Sequence, residues 1–173
     1  MNTLTKITLL AALPLSLAAV AFADEAAQAV GNLLTDPADP ANWKLEEHDD
    51  TKATLTQDGD TLHLTVETAG EEPWHVQTYQ DGLELDNGTH YLITFDAKAD
   101  AKRTVAVSVS QQTQPYDTLG LYEEIEIGTA YEPYELYFTA ENARPGDSRG
   151  PVIAHGEEAG ELWLRNVTLR VDE

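Results

Sequence analysis

Apolar and polar residues alternate with a period of two along most of the chain after Ala53. In TLHLTVET, residues 61–68, Leu62, Leu64 and Val66 share one side, and Thr61, His63, Thr65 and Glu67 the other. Tyr91, Ile93, Phe95 and Ala97 repeat the pattern, as do Val105, Val107 and Val109. Successive side chains of a strand point to opposite faces of its sheet, so each segment reads as a strand with one buried face. In ELWLRNVTLRV, Leu162 and Leu164 keep one parity, whereas Val167, Leu169 and Val171 keep the other. That change predicts a bulge or bend near Arg165-Asn166. Turn residues separate the segments, among them Asp58-Gly59, Asp81-Gly82, Asn87-Gly88 and Pro145-Gly146. Roughly nine or more short antiparallel strands at such spacing predict an all-β fold, a sandwich or a barrel. Residues 35–50, rich in Pro and Asp, read as a loop over one end, with Trp43 as a core plug or, second, a surface binding residue.

The N-terminus follows a different rule. Lys6 precedes the apolar run ITLLAALPLSLAAVAF, and Ala21-Phe22-Ala23 ends it with small residues at the two positions a signal peptidase reads. Residues 1–23 are therefore expected to be a signal peptide cleaved after Ala23, leaving 24–173 as a single secreted domain, extracellular or periplasmic. Pro14 interrupts the run, and no later segment approaches the ~20 apolar residues that cross a bilayer. With no cysteine, stability must come from the core or from a metal. The 31 acidic and 10 basic residues give a net charge of -21. Such a surface repels nucleic acid and anionic membranes. Acidic polysaccharides are repelled too, unless the few arginines gather at one site.

The stretch from Trp74 to Lys98, WHVQTYQDGLELDNGTHYLITFDAK, is two patterned strands joined by a turn, with a Trp, a Gln and a Tyr on the first. Asn32-Leu33-Leu34 and Trp43 precede it; VAVSVSQ with Tyr116, YEPYELYFTA and GELWLRNVTL follow. In order and spacing these pieces resemble the family 4/9 carbohydrate-binding modules (CenC-type), which attach to secreted glycoside hydrolases. The resemblance implies a galactose-binding-domain-like β-sandwich jelly roll, with Asn32-Leu33-Leu34 as its opening strand and a sugar cleft across its concave sheet. It implies a non-catalytic protein whose partner is a polysaccharide of the β-glucan or xylan type, acting beside a glycoside hydrolase or a cell-surface component. Two alternatives use the same sandwich: an adhesion module without sugar binding, and a part of a hydrolase system that acts on glycosyl bonds. Many members of the family hold a structural calcium near the chain ends. Here Arg165 stands where the family's last-strand Asp is usual, and a guanidinium opposes a bound cation. No cofactor or metal is therefore expected.

Sugar binding needs a flat ring against the apolar face of a pyranose, and planar polar groups for its hydroxyls. By the resemblance, Trp74 and Tyr116 are the ring candidates. Trp74 also fits a core position, since it shares parity with Val76; Tyr116 lies in a polar, Pro-containing loop. Gln77, Gln111 and Gln112 are the amide candidates, and Tyr79 shares the parity of Gln77 and extends the platform. Arg149, in the DSRG turn, reaches over the cleft or is a surface cation. His155, after PVIA, matches a polar cleft position or is a structural histidine. No catalytic residue is expected. Glu124 and Glu126 share a strand face, but a glycosidase needs two carboxylates at a set separation, and among 31 acids such pairs arise by chance. The five histidines show no zinc-binding spacing.

Overall fold

The computed structural model describes residues 31–172; the expected signal segment lies outside them. Ten strands are present: β1 (Lys44–Glu47), β2 (Lys52–Asp58), β3 (Thr61–Thr68), β4 (Val76–Leu83), β5 (His90–Ala99), β6 (Arg103–Gln111), β7 (Thr118–Ile127), β8 (Glu132–Thr139), β9 (Ser148–Ala154) and β10 (Gly160–Val171). Short 3₁₀ turns occupy Pro40–Asn42 and Pro73–His75. Among the described residues no helix is long and apolar enough to cross a membrane.

The strands form two five-stranded antiparallel sheets, a front sheet β1-β4-β9-β6-β7 and a back sheet β2-β3-β10-β5-β8. This is the β-sandwich jelly roll that the alternation and the resemblance led us to expect. The alternating rows pack between the layers. Leu62, Ile93, Leu162, Leu164 and Leu169 come from the back sheet, and Val105, Val107, Val109, Leu121 and Ile153 from the front. Burying such rows is the main drive to this fold. The anticipated bulge in β10 is present: its register against β5 shifts between Arg165 and Thr168. Asn166 takes the left-handed conformation there (φ 55°), which Asn tolerates better than most residues. The extra residue lets Leu164 and Val167 both face inward.

Two expectations need correction. The segment 35–50 is not all loop. Lys44–Glu47 pairs with β4 as the edge strand of the front sheet, with Glu46 opposite Gln77. Asn32-Leu33-Leu34 is not a strand. It is an irregular segment held by a bond from the Leu33 N–H to the Leu169 carbonyl (2.7 Å) and by the Asn32 side chain, which accepts from the Leu34 and Leu169 N–H groups. Trp43 is buried in the core, and its Nε1–H donates to the Pro37 carbonyl at 3.1 Å.

Candidate functional site

The outer face of the front sheet carries a groove of about 950 Å³. Its floor follows from the alternation. Val105, Val107 and Val109 of β6 face the core, and the outward positions beside them are Thr104, Ala106, Ser108 and Ser110. Val152 and Ala154 of β9 continue this floor. Small side chains at the centre leave a depression, and larger ones rim it. Cross-strand register aligns Glu46, Gln77, Ala154, Ala106 and Glu124 in one row across all five strands. Ser108 lies between Val152 and Tyr122 in the next row, and Ser110 between Arg149 and Thr118 in a third.

Three exposed rings border the depression. Trp74 is 49% exposed, Tyr116 49% and Tyr122 56%. The described residues include six exposed large apolar side chains, and half of them meet at this groove. Scattered exposed apolar residues are ordinary; convergence on one concavity marks a binding surface.

Trp74 is outside any strand, so parity with Val76 does not send it into the core. It sits in the Pro73–His75 turn, which the neighbouring backbone pins from several sides. The Gly156 N–H donates to the Pro73 carbonyl (2.7 Å), His155 to Val76 (3.2 Å) and His48 to His75 (2.9 Å). Gly156 permits this close approach: a methyl group there would lie 2.9 Å from the Glu72 and Pro73 carbonyl oxygens. The rings of His75 and His48 meet the indole at steep angles, with centroids 4.3 and 5.1 Å away.

Gln77, Tyr79 and Arg149 form the polar wall. Arg149 is no loop cation: it belongs to β9, is buried, and donates from Nε to Ser110 Oγ at 3.0 Å. Its guanidinium lies 4.6 Å from the Tyr79 ring centroid and 5.4 Å from that of Tyr116. Glu46 accepts from Gln77 Nε2 (2.8 Å), from Arg149 Nη1 (3.4 Å) and from the Tyr79 hydroxyl. Burial and that acceptor push the Tyr79 phenol up to about 12, so it stays protonated and donating. Tyr79 therefore supports Arg149 and offers no open stacking face, being only 4% exposed.

Two candidates lie elsewhere. Gln111 has the parity of Val105, Val107 and Val109, is buried, and is absent from the groove; Gln112 lines it instead and donates to Asp81 at 3.2 Å. His155 has the core parity of Ile153 and is buried, with both ring nitrogens unpartnered. Desolvation, helped by the charge of Arg103, lowers its pKa from 6.5 to about 4. The folded protein keeps His155 neutral, while the unfolded chain binds a proton below pH 6.5. Its contribution is complete above that value and declines as pH falls toward 4, by on the order of 3 kcal/mol. We expect His155→Leu to remove this part of the acid destabilisation. Melting curves of the two proteins that run parallel between pH 6.5 and 4 would contradict the assignment.

On the back sheet, Asp96 of β5 accepts from Arg165 Nε (3.2 Å) and Asn166 Nδ2 (2.9 Å) of β10, with the Arg165 guanidinium 4.1 Å from the Tyr131 ring centroid. Among the described residues no group of three or more His, Asp or Glu is arranged for a metal. Chelator is expected to leave the melting temperature unchanged, and a clear drop on chelation would show a structural cation.

The sequence pattern of the CBM_4_9 family, described as a carbohydrate binding domain, matches residues 36–159. The chain belongs to this carbohydrate-binding family. No curated protein matches it. Solved structures share its fold at low identity. A CBM4 module is 19% identical with a TM-score of 0.66, over 82% of this chain and 97% of that one. The N-terminal cellulose-binding domain of β-1,4-glucanase C from Cellulomonas fimi is 22% identical with a TM-score of 0.61, over 80% and 94%. A family 11 carbohydrate-binding module from Clostridium thermocellum, solved with a β-1,3-1,4-mixed-linked tetrasaccharide, is 15% identical with a TM-score of 0.58, over 82% and 96%. Sequence reasoning missed two features of this family member's groove, Glu46 and Tyr122. For Tyr122 a signal existed, because it has the outward parity opposite to the buried Leu119 and Leu121.

Proposed function

We propose that this protein is a secreted, non-catalytic module that holds an uncharged β-glucan or xylan chain in the front-sheet groove. The observation that carries the proposal is the meeting of Trp74, Tyr116 and Tyr122 around a floor of Ala and Ser, beside the Gln77–Arg149 polar wall. Rings stack on pyranose faces and the wall bonds hydroxyls. The cellulose-binding and mixed-linked-glucan modules of the same fold support a β-glucan ligand. A non-catalytic role is supported by the match to a carbohydrate-binding family. The module acts by concentration, keeping an accompanying glycoside hydrolase or cell surface against its polysaccharide. Open grooves of this kind bind at about micromolar strength. Affinity electrophoresis in gels containing laminarin, xylan or soluble cellulose tests the reading. Retardation by at least one is expected. No retardation by any would favour an adhesion sandwich, and steady release of reducing ends would favour an enzyme.

A further inference from the structure

Glu46 is the joint of the groove's polar wall. Its strand is a four-residue edge strand, KLEE, and its pairing opposite Gln77 places it in the row that crosses the groove. One carboxylate oxygen accepts from Gln77 and Arg149, and the other from Tyr79. Arg149 is in turn held by Ser110 and lies against the rings of Tyr79 and Tyr116. One side chain thus orients three residues of the site.

The same contact sets the charge that a ligand meets. Among the described residues, Glu46, Glu72, Glu124 and Glu157 line the groove, and Arg149 is the one lining Lys or Arg. A free guanidinium is a fork of donors well matched to a carboxylate, and such a group would welcome a uronate. Here Nη1 donates to Glu46 at 3.4 Å and Nε to Ser110, so the Glu46 carboxylate offsets the guanidinium's charge. The remaining lining acids, Glu72, Glu124 and Glu157, then face a ligand beside a cation whose charge is already offset.

Resting on the glycan-binding reading above, we propose that Glu46 is a specificity-determining residue: by orienting and neutralising Arg149 it commits the groove to uncharged glycans and turns away uronate-bearing ones.

The test compares xylohexaose and cellohexaose with their uronate-bearing counterparts, an aldouronic xylo-oligosaccharide and a C6-oxidised cello-oligosaccharide, by calorimetry. The full chain without its signal is expected to bind the neutral form roughly tenfold more tightly at low salt, and the ratio to shrink as salt shortens the reach of the carboxylates. In E46Q the ratio narrows to about twofold or reverses, because Arg149 is freed to meet the uronate. In the E46Q/R149M double variant the preference for neutral sugar returns, an outcome that a merely structural role for Glu46 does not produce. An unchanged ratio in E46Q overturns the proposal while leaving glycan binding intact. So does a wild-type ratio near one, or a ratio insensitive to salt, and these two need no variant to fold. Failure of both neutral oligosaccharides to bind the wild type removes the glycan-binding reading and this proposal together.

Discussion

Trp74→Ala is expected to weaken binding of a neutral glucan or xylan chain by about 1–3 kcal/mol, roughly 5- to 150-fold, with little change in melting temperature. The size follows from area. A pyranose on an indole face removes on the order of 80 Å² of apolar surface from water, worth about 2 kcal/mol at ~25 cal/mol per Å². The small effect on stability follows from position. The indole is 49% exposed, and it rides on a turn whose anchors are backbone bonds from Gly156, His155 and His48. Calorimetry and a melting curve on the same sample separate the two quantities. An unfolded variant would place Trp74 in the core. A folded variant with unchanged affinity would remove it from the site.

Ser108→Trp should abolish glycan binding, a loss of at least ~100-fold, in a protein that still folds. Ser108 lies in mid-floor between Val152 and Tyr122 and points away from the core. An indole there adds on the order of 100 Å³ to the one place a sugar must pass, without touching the packed interior. The neighbouring Val107→Trp supplies the contrast. Val107 is fully buried, and overpacking a close-packed interior at that position should strongly destabilise the domain or prevent folding. Adjacent residues of one strand thus have opposite expected outcomes. If Ser108→Trp binds as tightly as the wild type, the groove is not where the glycan lies.

Much of the architecture was legible because a half-buried strand must alternate. The rows of β3, β5 and β6 could be read directly, as could the parity change at Arg165-Asn166 that became the β10 bulge. The family pattern added the location of Trp74, Gln77 and Tyr116, parity added Tyr79 and the DSRG segment Arg149, and the fold gathers all five at one groove. As site candidates Gln111 and His155 run against the alternation, since each continues a core-facing row, and the structure buries both. Glu46 was illegible for another reason. A four-residue edge strand reading Lys-Leu-Glu-Glu carries too little pattern to stand out from the Pro- and Asp-rich loop before it. The short outward residues of β6, Ala106, Ser108 and Ser110, were visible beside the valines. What they meant depended on which strands flank β6, and only the sheet order supplies that.

The most direct measurement uses the three tryptophans as reporters. Trp74 borders the groove, Trp43 is sealed in the core, and Trp163 stands on the back sheet against His63 and Lys98. Titrating ¹⁵N-labelled protein with cellohexaose or xylohexaose should shift the Trp74 indole N–H signal and leave those of Trp43 and Trp163 in place. A Trp74 signal that stays still while the sugar binds, or while Trp163 moves, would contradict the front-sheet groove as the carbohydrate site.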